Sequence, residues 1–125
     1  MSKIAGSLRK AIIDGVTYDV VADANVSIML SLFENDSIAT SGSAIHKKTK
    51  RVAKAESIVL GTSWEDRAVL RDVAESLDTI SFSLEFAGGD SVSAFGHIHI
   101  ESDESEELRT TVIFLPDEGW TITAA

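Results

Sequence analysis

Ile80-Ser81-Phe82-Ser83-Leu84-Glu85-Phe86-Ala87-Gly88-Gly89-Asp90-Ser91-Val92-Ser93-Ala94-Phe95-Gly96-His97-Ile98-His99-Ile100 carries the clearest pattern in the chain. Ile80, Phe82, Leu84 and Phe86 alternate with Ser81, Ser83 and Glu85. After Gly88-Gly89 the alternation resumes at Val92, Ala94, Gly96, Ile98 and Ile100. A period of two sends every second side chain to one face, so this stretch reads as a β-hairpin with one face in a core. The same reading extends downstream. Leu108, Thr110, Val112 and Phe114 interleave with Arg109, Thr111, Ile113 and Leu115, which makes a further strand. Pro116-Asp117-Glu118-Gly119 supplies a turn, and Trp120-Thr121-Ile122-Thr123 a short edge strand.

Upstream, Asp14-Gly15 separates Ile12-Ile13 from Val16-Thr17-Tyr18, a two-residue turn of the kind that tolerates positive φ and closes a hairpin. From Val26 to Phe33, Val26, Ile28, Leu30 and Leu32 share one face of a strand, and Val52 to Leu60 is extended again. One segment has helical spacing instead. Ser63 is an N-cap with Asp66 as a short capping-box partner, and Trp64, Ala68, Leu70, Val73, Ala74 and Leu77 recur every three or four residues. That predicts a helix over about 63–77 with Trp64 on its core face. The expected fold is mainly β: an antiparallel β-sandwich or curled sheet of six or seven strands whose open end one flanking helix covers.

A chain of 125 residues fits one domain over residues 1–125. No apolar run reaches the length of a membrane span, and the first residues lead into no signal-peptide hydrophobic region, so a cytosolic protein without membrane contact is expected. The chain has no cysteine, which removes disulfides and thiolate chemistry. A net charge of −9 opposes attraction to nucleic acid or anionic lipid.

The charge is uneven. Residues 35–55 form a long polar arm that concentrates Lys47, Lys48, Lys50, Arg51 and Lys54, five of the eleven Lys and Arg. So polar a segment builds no core, and its length exceeds that of ordinary structureless loops, so either a partner orders it or it is a solvated loop. Its counterpart is the acidic run Glu101, Asp103, Glu104, Glu106 and Glu107. On different subunits the two would attract, and the ten residues are candidate inter-subunit contacts. The arm contains no aromatic residue for base stacking, which makes subunit contact a better use for it than nucleic acid.

No catalytic constellation emerges. His97 and His99 point to one face of a strand, a spacing that can serve a metal, but no third ligand accompanies them and the expectation is plain polar strand residues. The spacing of Asp103, Glu104, Glu106 and Glu107 is not that of a calcium loop, and no phosphate loop or nucleophile elbow is present. The expected protein is not an enzyme and has no cofactor or metal.

The order of elements resembles the tail tube protein of contractile-tailed bacteriophages: a hairpin on an Asp-Gly turn, a strand, a polar arm, a returning strand, one helix and closing strands. The phrases Asp14-Gly15-Val16-Thr17-Tyr18-Asp19-Val20, Thr49-Lys50-Arg51-Val52 and Thr110-Thr111-Val112-Ile113-Phe114-Leu115-Pro116, followed by Gly119-Trp120, carry the resemblance across most of the chain. It implies a structural virion protein, assembled in the bacterial cytoplasm as hexameric rings that stack into a hollow tube. Its inner strands would join into one barrel, and the arm would reach a neighbouring subunit or ring. The implied partners are further copies of the chain, a surrounding sheath, and baseplate initiator and tail terminator proteins. DNA would pass through without specific binding during ejection, and Glu85 and Asp90 are candidates for lumen charge that repels its phosphates. Alternative readings are the inner tube of a phage-derived contractile injection device, or a small monomeric binding module with the arm as recognition loop.

Overall fold

The computed structural model describes residues 7–21, 27–39 and 41–124. Its elements in chain order are β1 (Leu8–Ile13), β2 (Val16–Asp19), β3 (Ser27–Ile28), β4 (Phe33–Ala39), β5 (Ala44–Lys50), β6 (Ala55–Gly61), α1 (Trp64–Glu75), β7 (Ile80–Phe86), β8 (Ser91–Glu104), β9 (Arg109–Pro116) and β10 (Thr121–Thr123). The expected class holds: a curled antiparallel sheet with one flanking helix. The described strands number ten rather than six or seven, and two of them, β4 and β5, form the polar arm.

Asp14 and Gly15, both at positive φ, turn β1 into β2 as their sequence requires. The main sheet runs β2-β1-β7-β8-β9-β6-β3, with β10 added beside the first residues of β8. An isolated bridge between Val20 and Leu60, with Val21 N–H donating to the Val59 carbonyl at 2.9 Å, brings the far side of β2 back to β6. The sheet therefore curls almost into a barrel rather than forming two facing layers. Ala11, Ile13, Ile58, Leu60, Leu84 and Phe114 fill its interior, and Phe82 packs on Phe114 and edge-on to Trp120.

The long strand β8 explains the curl. Its first half pairs with β7 as far as Gly96 opposite Ile80; its second half pairs with β9 from Gly96 opposite Pro116 out to Glu104 opposite Arg109. At the changeover the backbone of β9 passes so near that a Cβ on Gly96 would collide with the Leu115 carbonyl and stand 2.8 Å from Pro116 Cα.

α1 begins as its sequence predicts. Ser63 Oγ accepts from Asp66 N–H at 3.2 Å and Asp66 Oδ2 accepts from Ser63 N–H at 3.0 Å, a complete capping box. The buried face differs from the expected one. Arg67 and Leu70 are buried and Val73 and Ala74 half-buried against β8, whereas Trp64 is 67% exposed and lies over the Arg67 guanidinium at 4.7 Å. The helix meets the sheet along the 67/70/73–74 line, and that leaves Trp64 and Ala68 on its flank. Ser76 then adopts an extended conformation, which ends the helix before Leu77 and turns that side chain into solvent.

Two strand expectations change as well. Val26 lies outside the described residues, and the run that follows is interrupted: β3 covers only Ser27–Ile28, and β4 starts at Phe33, with Leu30 exposed between them. Leu108 is not the first residue of a strand but a turn residue at φ 52°, and the acidic run is no simple loop, because Glu101 to Glu104 continue β8 past a bulge.

Candidate functional site

The arm is a β-hairpin. Phe33 to Ala39 pairs with Lys50 to Ala44 in unbroken register, and every residue of both strands is exposed. Met29 N–H donates to the Lys54 carbonyl and Arg51 N–H to the Leu32 carbonyl, so the hairpin grows directly out of the β3–β6 pair. Directly opposed residues share a face. One face carries Glu34 with Thr49, Asp36 with Lys47, and Ile38 with Ile45; the other carries Phe33 with Lys50, Asn35 with Lys48, and Ser37 with His46. Ser37 Oγ and His46 Nδ1 lie 3.0 Å apart. Five large apolar side chains stand out of this extension into solvent: Leu30, Phe33, Ile38, Ile45 and Val52. A two-stranded ribbon whose residues are exposed on both faces is marginally stable in water.

The structure gathers the ten candidate contact residues into two groups. Lys47, Lys48 and Lys50 stand on β5, and Arg51 and Lys54 on the connection to β6. Lys50 reaches Glu118 at 3.8 Å, Lys54 reaches Glu56 at 2.6 Å, and Arg51 Nε donates to the Ser31 carbonyl at 3.1 Å, so these three are partly used within the chain. Lys47 and Lys48 form no ion pair among the described residues. Glu101, Asp103 and Glu104 lie at the end of β8, Glu106 and Glu107 in the turn before β9, and Glu107 pairs with Arg109 at 3.2 Å.

The two groups do not meet in one chain. The basic hairpin leaves β6 where Ala55 faces Phe114, and the acidic turn lies where Gly61 faces Arg109. These are opposite ends of one strand pair, on the order of 20 Å apart at about 3.3 Å per residue.

The acidic end is fastened by a side chain whose role the sequence did not suggest. Arg67 enters the interior from α1, and its Nε donates to Thr62 Oγ1 at 3.2 Å. Its Nη2 donates to the carbonyls of Glu104 and Arg109, and its Nε lies 3.8 Å from Asp103 Oδ1. Thr110 Oγ1 donates to Asp103 at 2.7 Å and lies 2.9 Å from Thr62 Oγ1. Every buried polar side-chain atom among the described residues has a partner. An Arg on a helix reads as solvent-facing, and only the meeting of two carbonyls across the β8–β9 turn makes it an interior residue.

Beside this network a groove of about 640 Å³ runs between α1 and β8, lined by Trp64, Arg67, Ala68, Arg71, Ile100 and Asp103 among others. Beyond Gly96, β8 has β9 on one side and no described strand on the other.

The remaining candidates are dispersed. His97 and His99 share a face, opposite Leu115 and Ile113, and no group of three potential metal ligands occurs among the described residues. Glu85 is exposed opposite Lys10, and Asp90 lies in the β7–β8 turn, where its carbonyl accepts from Phe86 N–H at 2.9 Å. Burial raises the Tyr18 hydroxyl above its ordinary pKa, with the charge of Asp66 adding to the effect. No protein-family model matches this chain, and no curated protein sequence matches it.

Proposed function

We propose that this protein is a structural subunit that assembles with further copies of itself into stacked rings forming a hollow tube, the inner tail tube of a bacteriophage. The observation that carries the reading is the separation of the exposed basic hairpin and the acidic turn to opposite ends of the β6–β9 pair. A surface that meets a different surface of the next copy is heterologous, and heterologous contacts propagate into rings or helical stacks rather than closing as a dimer. Opposite charge at the two ends favours that arrangement, and coverage by a neighbour would stabilise a ribbon that its own subunit leaves bare. The element order that resembles tail tube proteins supports the particular assembly. In it the chain is not an enzyme, the tube is enclosed by a sheath, and DNA passes along a lumen to which Glu85 and Asp90 contribute charge.

Negative-stain electron microscopy over a protein concentration series tests this. Rings or hollow tubes of uniform diameter are expected, and they should dissociate at high salt because exposed charge pairs are screened. A protein that stays monomeric at every concentration and salt would overturn the proposal and favour a binding module.

A further inference from the structure

We infer that the groove between α1 and β8 is the socket for the hairpin tip of the next copy, with the Ile38–Ile45 pair seated in it. The inference rests on the self-assembly reading and assigns its contact surface. Ile38 and Ile45 face one another in the β4–β5 register and are 54% and 56% exposed, a compact apolar knob one residue pair from the end of the ladder. Both belong to strands whose every residue is exposed.

The groove has the matching properties. Trp64, Ala68, Ala74, Ile98 and Ile100 give it an apolar lining, and Trp64 is the most exposed aromatic on the helix side. Such an exposed ring, backed by the Arg67 guanidinium on one face, is a rigid wall against which an aliphatic pair can pack. Asp103 and Glu75 stand at the groove itself, and Glu101, Glu104, Glu106 and Glu107 flank it along the end of β8 and its turn. On the hairpin, Lys47 lies on the same face as Ile45 and two residues from it, and Lys48 follows on the other face. A knob of two isoleucines with lysines behind it therefore faces a hydrophobic slot with carboxylates around it.

Arg67 and Arg71 also line the groove, but their charge does not repel the lysines unopposed. Arg67 is held by Asp103 and two carbonyls, and Arg71 lies 3.9 Å from Asp72. The groove runs from Ile98, in one row with Phe114 and Ala55, to Asp103 at the far end of the strand pair. The knob stands on the hairpin that projects from that pair beyond Lys50, and in the assembly it seats in the groove of another copy.

The absence of native cysteine makes the test direct. Ile45→Cys and Ala68→Cys are prepared separately, mixed, assembled and oxidised, and the cross-linked dimer is measured on a non-reducing gel. Seating of the tip holds the two thiols at high local concentration, so the mixed pair should yield at least roughly tenfold more dimer than Ile45→Cys mixed with Phe95→Cys. All three substitutions are at exposed positions and leave the core untouched. Rings or tubes that form without the Ala68 cross-link would overturn the socket while leaving self-assembly standing. Failure of the unmodified chain to assemble at any concentration would overturn both.

Discussion

The Arg67 guanidinium and the Asp103 carboxylate face one another across 3.8 Å, where the first turn of α1 meets the end of the β8–β9 hairpin. Arg67 is 7% exposed, whereas the Asp103 side chain is 45% exposed, so solvent screens their charge interaction. The greater part of the stabilisation comes from the guanidinium satisfying Thr62 and the carbonyls of Glu104 and Arg109. Arg67→Met keeps the aliphatic stem and removes these bonds. It should lower stability by about 2 kcal/mol, measured as the urea midpoint at constant slope. Arg67→Lys should recover little, because an ammonium cannot reach three separated acceptors from one position. A midpoint equal to that of the unmodified protein would show that the network contributes nothing.

Gly96 has no room for a side chain, because β9 crosses it at the point where β8 changes partners. The atoms in the way belong to the backbone of Leu115 and Pro116, which cannot rotate aside. Gly96→Ala should therefore separate β8 from β9 and cost on the order of 3 kcal/mol or more. Gly42 in the hairpin turn has open space around it, and Gly42→Ala serves as the comparison. Thermal melts of the two variants should differ widely; similar melting temperatures would contradict the close approach.

Tyr18 is the one tyrosine of the chain and is buried against β1. Its hydroxyl is raised above 10.0 first by desolvation and then by the charge of Asp66. The folded protein therefore holds this proton more tightly than the unfolded chain. The corresponding stability is complete below about pH 10, the unfolded value, and is lost as pH rises towards the folded one. Unfolding midpoints at pH 9 and pH 11 should fall further for the unmodified protein than for Tyr18→Phe, and tyrosinate absorbance should appear late in a pH titration of the folded chain. A tyrosinate transition at the ordinary value would refute the burial effect.

The parts legible in the sequence were those that local chemistry decides. Ser63 and Asp66 build their capping box whatever α1 packs upon, and Asp14-Gly15 turns because its backbone dihedrals suit it. The alternation from Ile80 to Ile100 was equally plain, since one face of each strand enters the core. The hairpin from Phe33 to Lys50 gave no such signal: both of its faces meet solvent, and alternation marks a strand only when one face is buried. Trp64, expected on the core face, is exposed and Arg67 is buried instead, for a different reason. The buried line of a helix is fixed by its partner, here the carbonyls of Glu104 and Arg109, which are remote in sequence. Within the candidate site, charge marked both groups of candidate contact residues, but the pairing of Ile38 with Ile45 depends on a register that residue spacing alone does not fix.

Because every residue of the hairpin strands is exposed and the ion pair of Lys50 with Glu118 on the body lies in solvent, removal of the hairpin should leave the rest of the fold intact. Arg51 N–H and the Leu32 carbonyl are 2.9 Å apart, so an Asn-Gly turn can join Leu32 to Arg51 in place of residues 33–50. The shortened chain should melt within about 0.5 kcal/mol of the parent when both are monomeric. It should also fail to form rings or tubes by electron microscopy. Tubes formed without the hairpin would remove it from the assembly contact.

Trp64 offers a way to test for the proposed contact. It is 67% exposed in the monomer, while Trp120 is half-buried, packs on Phe82 and donates through Nε1 to the Ala53 carbonyl at 2.6 Å. Iodide should therefore quench Trp64 far more than Trp120 in the free subunit. If the Ile38–Ile45 knob fills the groove, Trp64 becomes inaccessible on assembly and the quenching constant should fall to about that of a buried indole. Trp64→Phe identifies the signal, because it removes the quenchable component and leaves Trp120 as reporter of the core. In Ile38→Ser/Ile45→Ser, which keeps all five arm cations and removes only the knob, the accessible component should persist at every protein concentration. Full quenching of Trp64 within well-formed tubes of the unmodified protein would place the knob elsewhere on the neighbouring subunit.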